Sequence, residues 1–263
     1  MLKLPLSVCV ITLNETNNIE DCLTSVSQAD EILVADTGST DDTMDKARKF
    51  TSNLHQLEFK GHAQTKADLA ELATHEWVLS LDADERVSPK LWQEIKTLIN
   101  ASDSEVNGMR LRRRSYFLGK PMRMWNNDFQ LRLYRKEYGA WNDAKIHCGV
   151  TVQGEIVDSM GYLEHYTDPN LHHVLKKMNT YSTANAADMI QHKKKHISVF
   201  SAGVHTLSTF LRVYFAKGAI LDGLIGFIFA CMQAQFNWFR YVKAWEIRKG
   251  IAKLPETEDY KTK

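Results

Sequence analysis

Glu76-Trp77-Val78-Leu79-Ser80-Leu81-Asp82-Ala83-Asp84 is the stretch on which the reading of this chain turns. Trp77 to Leu81 is short and nearly continuously apolar, as a strand buried on both faces requires. It runs into two carboxylates separated by one residue. In an extended segment, residues two apart point to the same side about 6.5–7 Å from each other, so Asp82 and Asp84 are predicted to share a face. One of them then suits a hard divalent ion, Mg2+ or Mn2+, which takes oxygen ligands from one or two carboxylates together with phosphates. The other is placed to reach ribose hydroxyls or a metal-bound water. The alternative is an ordinary surface turn, where aspartate pairs are common.

The same arrangement recurs on the N-terminal side. Residues 6–13 form a β-branched apolar run that stops at Asn14-Glu15, and Glu31 to Asp36 forms another that breaks at Thr37-Gly38. A weaker strand covers Leu54 to Phe59. Helix signals fill the gaps. Asn17 or Asn18 is placed to cap a helix carrying Ile19, Cys22, Leu23 and Val26, and Ser39/Thr40 with Asp41/Asp42 make an acidic helix start. A helix is predicted around Ala63–Thr74, and Ser88-Pro89 opens another with Leu91, Trp92 and Ile95 on its apolar side. Alternating strands and helices imply an α/β, Rossmann-like, mainly parallel sheet with helices on both faces. Ligands of such sheets bind beyond the carboxyl ends of the strands. Asn14-Glu15, Asp36 and Asp82-Ala83-Asp84 are therefore predicted to line one crevice.

Individual side chains carry open alternatives. Asp36 is placed to accept a pyrimidine N–H or to cap a turn. Lys66 either reaches a phosphate or is solvated. From residue 106 the pattern changes to short segments, Met109–Arg114, Phe129–Arg135 and Val150–Gln153, consistent with a meander or small mixed sheet. From about Asn170 to Leu254 it is almost wholly helical, with about three helices.

The segments Ser7–Glu15 (SVCVITLNE), Val34–Thr43 (VADTGSTDDT) and Trp77–Glu85 (WVLSLDADE) resemble, in order, spacing and strand context, family 2 inverting glycosyltransferases of the GT-A fold. Trp125–Arg135, Ile146-His147 and Leu163–Tyr166 are similar to the branch containing lipopolysaccharide inner-core β-1,4-glucosyltransferases. The resemblance implies a catalytic domain over 1–169, with a nucleotide-sugar half at 1–105 and an acceptor half at 106–169. A helical extension over 170–255 and a tail at 256–263 follow. It implies a UDP-sugar donor held by Thr12, Asn14, Glu15, Asp36, Gly38, Lys66, Asp82 and Ala83, with Asp36 on the uracil. Asp84 and His165 are the expected metal ligands, and inversion the expected stereochemistry. The chain departs from the branch at one point. Where a His-Glu pair is expected it has His147-Cys148, and a thiol with an ordinary pKa near 8.5 is a poor base. Asp128 or Asp143 then supplies the base, with Asp128 favoured, unless the protein is a weakened nucleotide-sugar binder. The alternative for Asp128 is pairing with Arg132; for His147 and His165 it is a structural role. The expected reaction moves a hexose, glucose from UDP-glucose, to a heptose of the lipopolysaccharide or lipooligosaccharide core. A capsule intermediate or a peptide is the alternative acceptor.

Charge distribution bears on the partner. Residues 1–109 hold 9 Lys/Arg against 19 Asp/Glu, and residues 110–263 hold 24 against 13. The later part is thus expected to meet something anionic, unless two solvated faces merely differ in charge. Between Asn170 and Pro255 there are 12 cations against 3 acids, including His192–His196, and an aromatic-rich run follows from Ile225 to Trp245. Basic helices bearing aromatic residues read as an interfacial membrane module, here on the anionic inner leaflet with a lipid-anchored core oligosaccharide as acceptor. A core helix with solvated lysines is the alternative. Nucleic acid is not expected, since no RNP, KH or zinc-finger pattern accompanies the charge. The four scattered cysteines suggest a reduced cytoplasm without disulfide or zinc. No signal-peptide cleavage site is evident. The longest uncharged stretch, Gly223–Phe239, contains Gln233, Gln235 and Asn237 and is short for a span. The location expected is peripheral, at the cytoplasmic side of the bacterial inner membrane, with no transmembrane segment.

Overall fold

The computed structural model describes residues 3–101, 104–142, 149–191 and 197–253. In chain order the elements are β1 (Leu4–Thr12), α1 (Ile19–Ser25), β2 (Ala29–Asp36), α2 (Thr43–Ala47), β3 (Leu54–Gln56), α3 (His62–Glu71), β4 (Trp77–Asp82), β5 (Glu85–Val87) and α4 (Pro89–Ile99). There follow β6 (Val106–Phe117), β7 (Lys120–Pro121), β8 (Asp128–Arg135), β9 (Gly139–Asn142), β10 (Gly149–Val152) and β11 (Glu155–Asp168), then α5 (Leu171–Gln191), α6 (Val199–Leu211) and α7 (Gly223–Arg248). A nine-stranded sheet runs β3-β2-β1-β4-β8-β6-β11-β5, with β7 paired to β6, while β9 and β10 form a separate ribbon. Pairing is parallel from β3 through β4 and antiparallel where β8 joins β4 and β6.

Strand alternation explains why helices are needed on both faces. On β1, Leu6, Val8 and Val10 enter one core with Ile19 and Leu23 of α1 and Leu91 and Ile95 of α4. Cys9 and Ile11 between them enter a second core with Leu69 and Ala70 of α3. Ile32 and Val34 of β2 divide from Leu33 and Ala35 in the same way. Ser88 caps α4 as predicted, accepting Leu91 N at 3.3 Å with Pro89 in the first turn. Asn18 precedes α1 without capping it, because its amide donates to Glu15 Oε2 at 2.8 Å.

The chain divides into two compact units. One is Met1–Arg114 with Asn126–His165, the other Ser115–Trp125 with Tyr166–Lys263. A boundary at 169 therefore leaves out of the helical unit a hairpin that belongs to it. Phe117 and Met122 are buried there with Val174, Met178 and Phe229, and Trp125 packs edge-on to Phe229. In the same unit Ala186, Met189, Ala202, Tyr241 and Ala244 form a further core. Much of the aromatic-rich run thus packs inward: Phe229 and Tyr241 are buried, and Phe236, Trp238 and Trp245 are partly buried against these two cores. Contrary to the expectation from sequence, one helical stretch among the described residues, Ala219–Arg248, is long and apolar enough to cross a membrane, although a third of its most apolar window is buried in the protein. The His192–His196 run and the tail from Leu254 lie outside the described residues.

Candidate active site

The strand registers bring the acidic ends together. Thr12 pairs with Asp36 and Ile11 with Asp82, so the carboxyl ends of β1, β2 and β4 lie side by side at the point where strand order reverses. The loops after β1 and β2 are laced to each other. Asn14, at φ 53°, donates its N–H to Ser39 Oγ at 2.8 Å and accepts Thr40 N at 2.7 Å. Glu15 N donates to Thr43 Oγ1 at 2.8 Å, and Thr37 N to Thr12 O at 3.1 Å. Asp36 is 3% exposed and serves here as a turn cap, accepting Ser39 N at 3.0 Å, Ser39 Oγ at 2.5 Å and Gly38 N at 3.3 Å. Gly38 takes φ 112°, a conformation that L side chains rarely adopt. Beside them Thr12 Oγ1 is buried with no hydrogen-bond partner among the described residues. A buried hydroxyl left in this way is expected to meet a ligand.

Asp82 and Asp84 do not share an extended segment. Asp82 ends β4, Ala83-Asp84 form a turn, and β5 starts at Glu85 against β11 rather than against β4. β4 keeps β1 as its partner as far as Asp82, while its pairing with β8 spans Trp77 to Leu79. The two carboxylates consequently have different partners. Asp82 meets Lys66 Nζ at 2.6 Å and Arg132 at 2.8 Å. Lys66 is 5% exposed, which removes the solvated alternative. Arg132 also reaches Glu85 at 3.2 Å, and Glu85 is fully buried with its other oxygen accepting Asp82 N at 2.9 Å. Burial alone would raise the Asp82 carboxyl, but the adjacent Lys66 and Arg132 charges outweigh it and hold it far below the usual range. Burial and the nearby Arg132 lower the Lys66 ammonium despite the favourable Asp82 charge.

Asp84 instead meets His165 of β11, Oδ2 to Nε2 at 3.4 Å, in register with Glu85 of β5. Burial would lower the imidazole, yet its hydrogen bond to Asp84 and the Asp84 and Glu85 charges raise it above its ordinary value. No group of three or more His, Cys, Asp or Glu side chains suited to a metal occurs among the described residues. The Asp84–His165 pair nevertheless fits an ion, since ligand bonds of about 2.0–2.2 Å to a shared metal would span such a separation.

Asp128 pairs with Arg113, not with Arg132. Arg113 reaches Asp128 Oδ2 at 2.6 Å and lies 4.0 Å from Glu85, while Gln130 donates to Asp128 Oδ1 at 2.6 Å. This ties Asp128 to the same ionic lattice. Glu85, Arg113 and the role of Arg132 escape a reading by motif. The available signal was alternation in β8, where Gln130 and Arg132 sit between Phe129, Leu131 and Leu133, marking polar side chains on a buried strand face. Asp143, His147 and Cys148 lie outside the described residues.

Comparison with known proteins gives the class to which a sheet of this topology belongs. Residues 7–153 match the model of Glycosyl transferase family 2. Over 269 residues the chain is 30% identical to the lipopolysaccharide core biosynthesis glycosyltransferase LpsC of Rhizobium meliloti, covering 98% of this chain and 97% of that one. An uncharacterized glycosyltransferase of Rickettsia prowazekii is 25% identical, covering 97% and 91%. Among solved structures, the mannosyltransferase PcManGT from Pyrobaculum calidifontis, in complex with GDP-Man and Mn2+, aligns with a TM-score of 0.51 at 14% identity over 92% of this chain and 87% of that one. The chain belongs to glycosyl transferase family 2 and has the GT-A fold, with a C-terminal helical region.

Proposed function

We propose that this glycosyltransferase is metal-dependent and inverting, and moves glucose from UDP-glucose to a heptose of the lipopolysaccharide inner core. The observation that carries the proposal is the grouping of Thr12, Asp36 and Asp82 at adjacent strand ends, with the Asp84–His165 pair one turn further on. The role of the Rhizobium relative in lipopolysaccharide core biosynthesis supports the acceptor class. Thr12, Asn14, Glu15 and the Asp36–Gly38 turn are assigned to the nucleoside, Asp82 and Ala83 to the ribose, and Lys66 to the diphosphate. Asp84 and His165 would hold Mn2+ or Mg2+, and the imidazole nitrogen favours Mn2+ of the two. A bound ion supplies positive charge to the diphosphate as it leaves.

Asp128 is assigned as base. Arg113 and Gln130 each use one of its oxygens, and a carboxylate has about four lone-pair positions, so acceptor capacity remains. The base removes the proton of the acceptor hydroxyl, that oxygen bonds to C1 on the face opposite the diphosphate, and the C1–O bond to UDP breaks with inversion. With a lipid-anchored acceptor and a nucleotide-sugar donor, the enzyme would work peripherally at the cytoplasmic face of a bacterial inner membrane. Incubation with Mn2+, individual UDP-sugars and core oligosaccharide truncated after heptose, read by mass spectrometry, tests the proposal. Addition of one hexose from UDP-glucose is expected. Addition of N-acetylhexosamine, or none from any donor, overturns it.

A further inference from the structure

Helix α6 is amphipathic in the wrong sense for a water-soluble surface. Its inward side is mostly small or polar: Ala202 is buried, the His205 ring stacks on Tyr241 at 4.8 Å, and Asn237 donates to Thr209 Oγ1 at 2.6 Å and His205 O at 2.8 Å, with Phe210 the large apolar side chain that packs inward, edge-on to Phe227. Its outward side carries Phe200, Val204, Leu207 and Leu211, at the 4-3-4 spacing of one helical face, with Phe200 83% and Leu207 60% exposed. The π-helical turn Arg212–Ala216 extends this face to Phe215, and after Gly218 the chain presents Leu221 and Leu224, 69% and 73% exposed. Exposed apolar side chains that recur along one helical face in this way mark an interaction surface rather than scattered surface hydrophobics.

Charge selects the occupant. Residues 197–221 contain no Asp or Glu, and their cations are Arg212 and Lys217. The next acid, Asp222, is turned to the backbone, accepting Arg123 N at 2.8 Å and Met124 N at 3.3 Å. An apolar face on a segment whose only charged side chains are cations suits anionic lipid head groups, whereas a second copy of this segment would set like charges against each other. The neighbouring α7, although apolar enough to span, is held in the helical unit: Asn237 bonds to α6, and Lys243 donates to Asn179, Ser182 and Thr183 of α5 at 2.8 Å.

We propose that the outer face of α6, continued through Phe215 to Leu224, lies in the head-group–acyl boundary of an anionic bilayer, parallel to its plane, and that α7 does not cross it. This deepens the proposed function by naming the surface that meets the membrane, and it rests on that reading only for the lipid-anchored acceptor. The full-length chain is floated on a density gradient with phosphatidylethanolamine–phosphatidylglycerol vesicles, with phosphatidylcholine vesicles, and alone. Wild type is expected to float with the anionic vesicles. Phe200→Asp/Leu207→Asp and, independently, Leu221→Asp/Leu224→Asp are expected to cut the floated fraction at least tenfold, with unchanged thermal melting and unchanged Mn2+-dependent release of UDP from UDP-glucose. Wild type remaining at the bottom overturns the proposal. So do variants that float like wild type, or sedimentation velocity showing a dimer that the same substitutions abolish. Flotation without UDP release would sink the catalytic proposal and leave the docking surface standing.

Discussion

Replacing Arg132 with methionine keeps most of the side-chain volume and removes the guanidinium shared by Asp82 and Glu85. Asp82 retains Lys66 at 2.6 Å. Glu85 does not fare as well: it is fully buried, its nearest remaining cation is Arg113 at 4.0 Å, and one of its oxygens is left facing the vacated space. Stranding a buried charge in this way costs about 3–5 kcal/mol. For a protein of this size, about 2–4 °C of melting temperature per kcal/mol gives a fall on the order of 10 °C. The same logic fixes the sign of the second step. Adding Glu85→Gln to Arg132→Met removes the uncompensated charge, so the double variant should recover at least about half of the loss. Calorimetric melting of wild type, both single variants and the double variant completes the cycle. If Arg132→Met costs under about 1 kcal/mol, or if the two substitutions simply add, the lattice is not the buried ionic unit described above.

Lys66→Met removes a charge-assisted contact worth about 1.5–3 kcal/mol; if that ammonium also serves the diphosphate, UDP affinity by calorimetry should fall roughly 10–100-fold. Asp84→Asn and His165→Gln should each weaken Mn2+ binding in the presence of UDP by roughly tenfold or more, read by titration calorimetry, while Glu94→Gln, remote from the crevice, should not. Burial would raise the Glu31 carboxyl, but hydrogen bonds from Ser7 and Thr74 outweigh it and leave it below the ordinary value. Its stabilisation is therefore present above the ordinary glutamate value and lost as pH falls through the lowered one, so the melting gap between wild type and Glu31→Gln should narrow progressively as pH falls below about 4.5. Burial pushes the Cys9 thiol up to about 12, so native protein at pH 8 should leave Cys9 unalkylated by iodoacetamide and label it only after denaturation. A Cβ at Gly161 would lie 2.3 Å from the Leu91 backbone nitrogen, and Gly161→Ala should lower stability by about 1–3 kcal/mol or more in chemical denaturation.

The parallel half of the sheet was legible because β1, β2 and β4 are buried on both faces and so read as unbroken apolar runs that end in polar residues. Ser88-Pro89 was legible because capping chemistry is local. The turn at Ala83-Asp84 was not, since the strand that follows it, β5, is fixed by pairing with β11, which sets Glu85 opposite His165 far along the chain. The partners of Asp82 and Asp128 were hidden for the same reason. Arg113 and Arg132 stand on antiparallel neighbours, β6 and β8, and only register decides which carboxylate each one meets. The exposed stripe on α6 is not legible in sequence because its helical spacing is the same as that of a face buried in a core.

The hairpin Ser115–Trp125 is separated in sequence from the helices that cover it. Phe117 is translated 112 residues before Phe229, its edge-on partner at 5.1 Å. At about 5–20 residues per second on the ribosome, Phe117 waits roughly 6–20 s for that partner to be made. The helical unit thus cannot finish its core until α7 has been made, and a chaperone that shields aromatic side chains on nascent chains would have that interval in which to act on this hairpin.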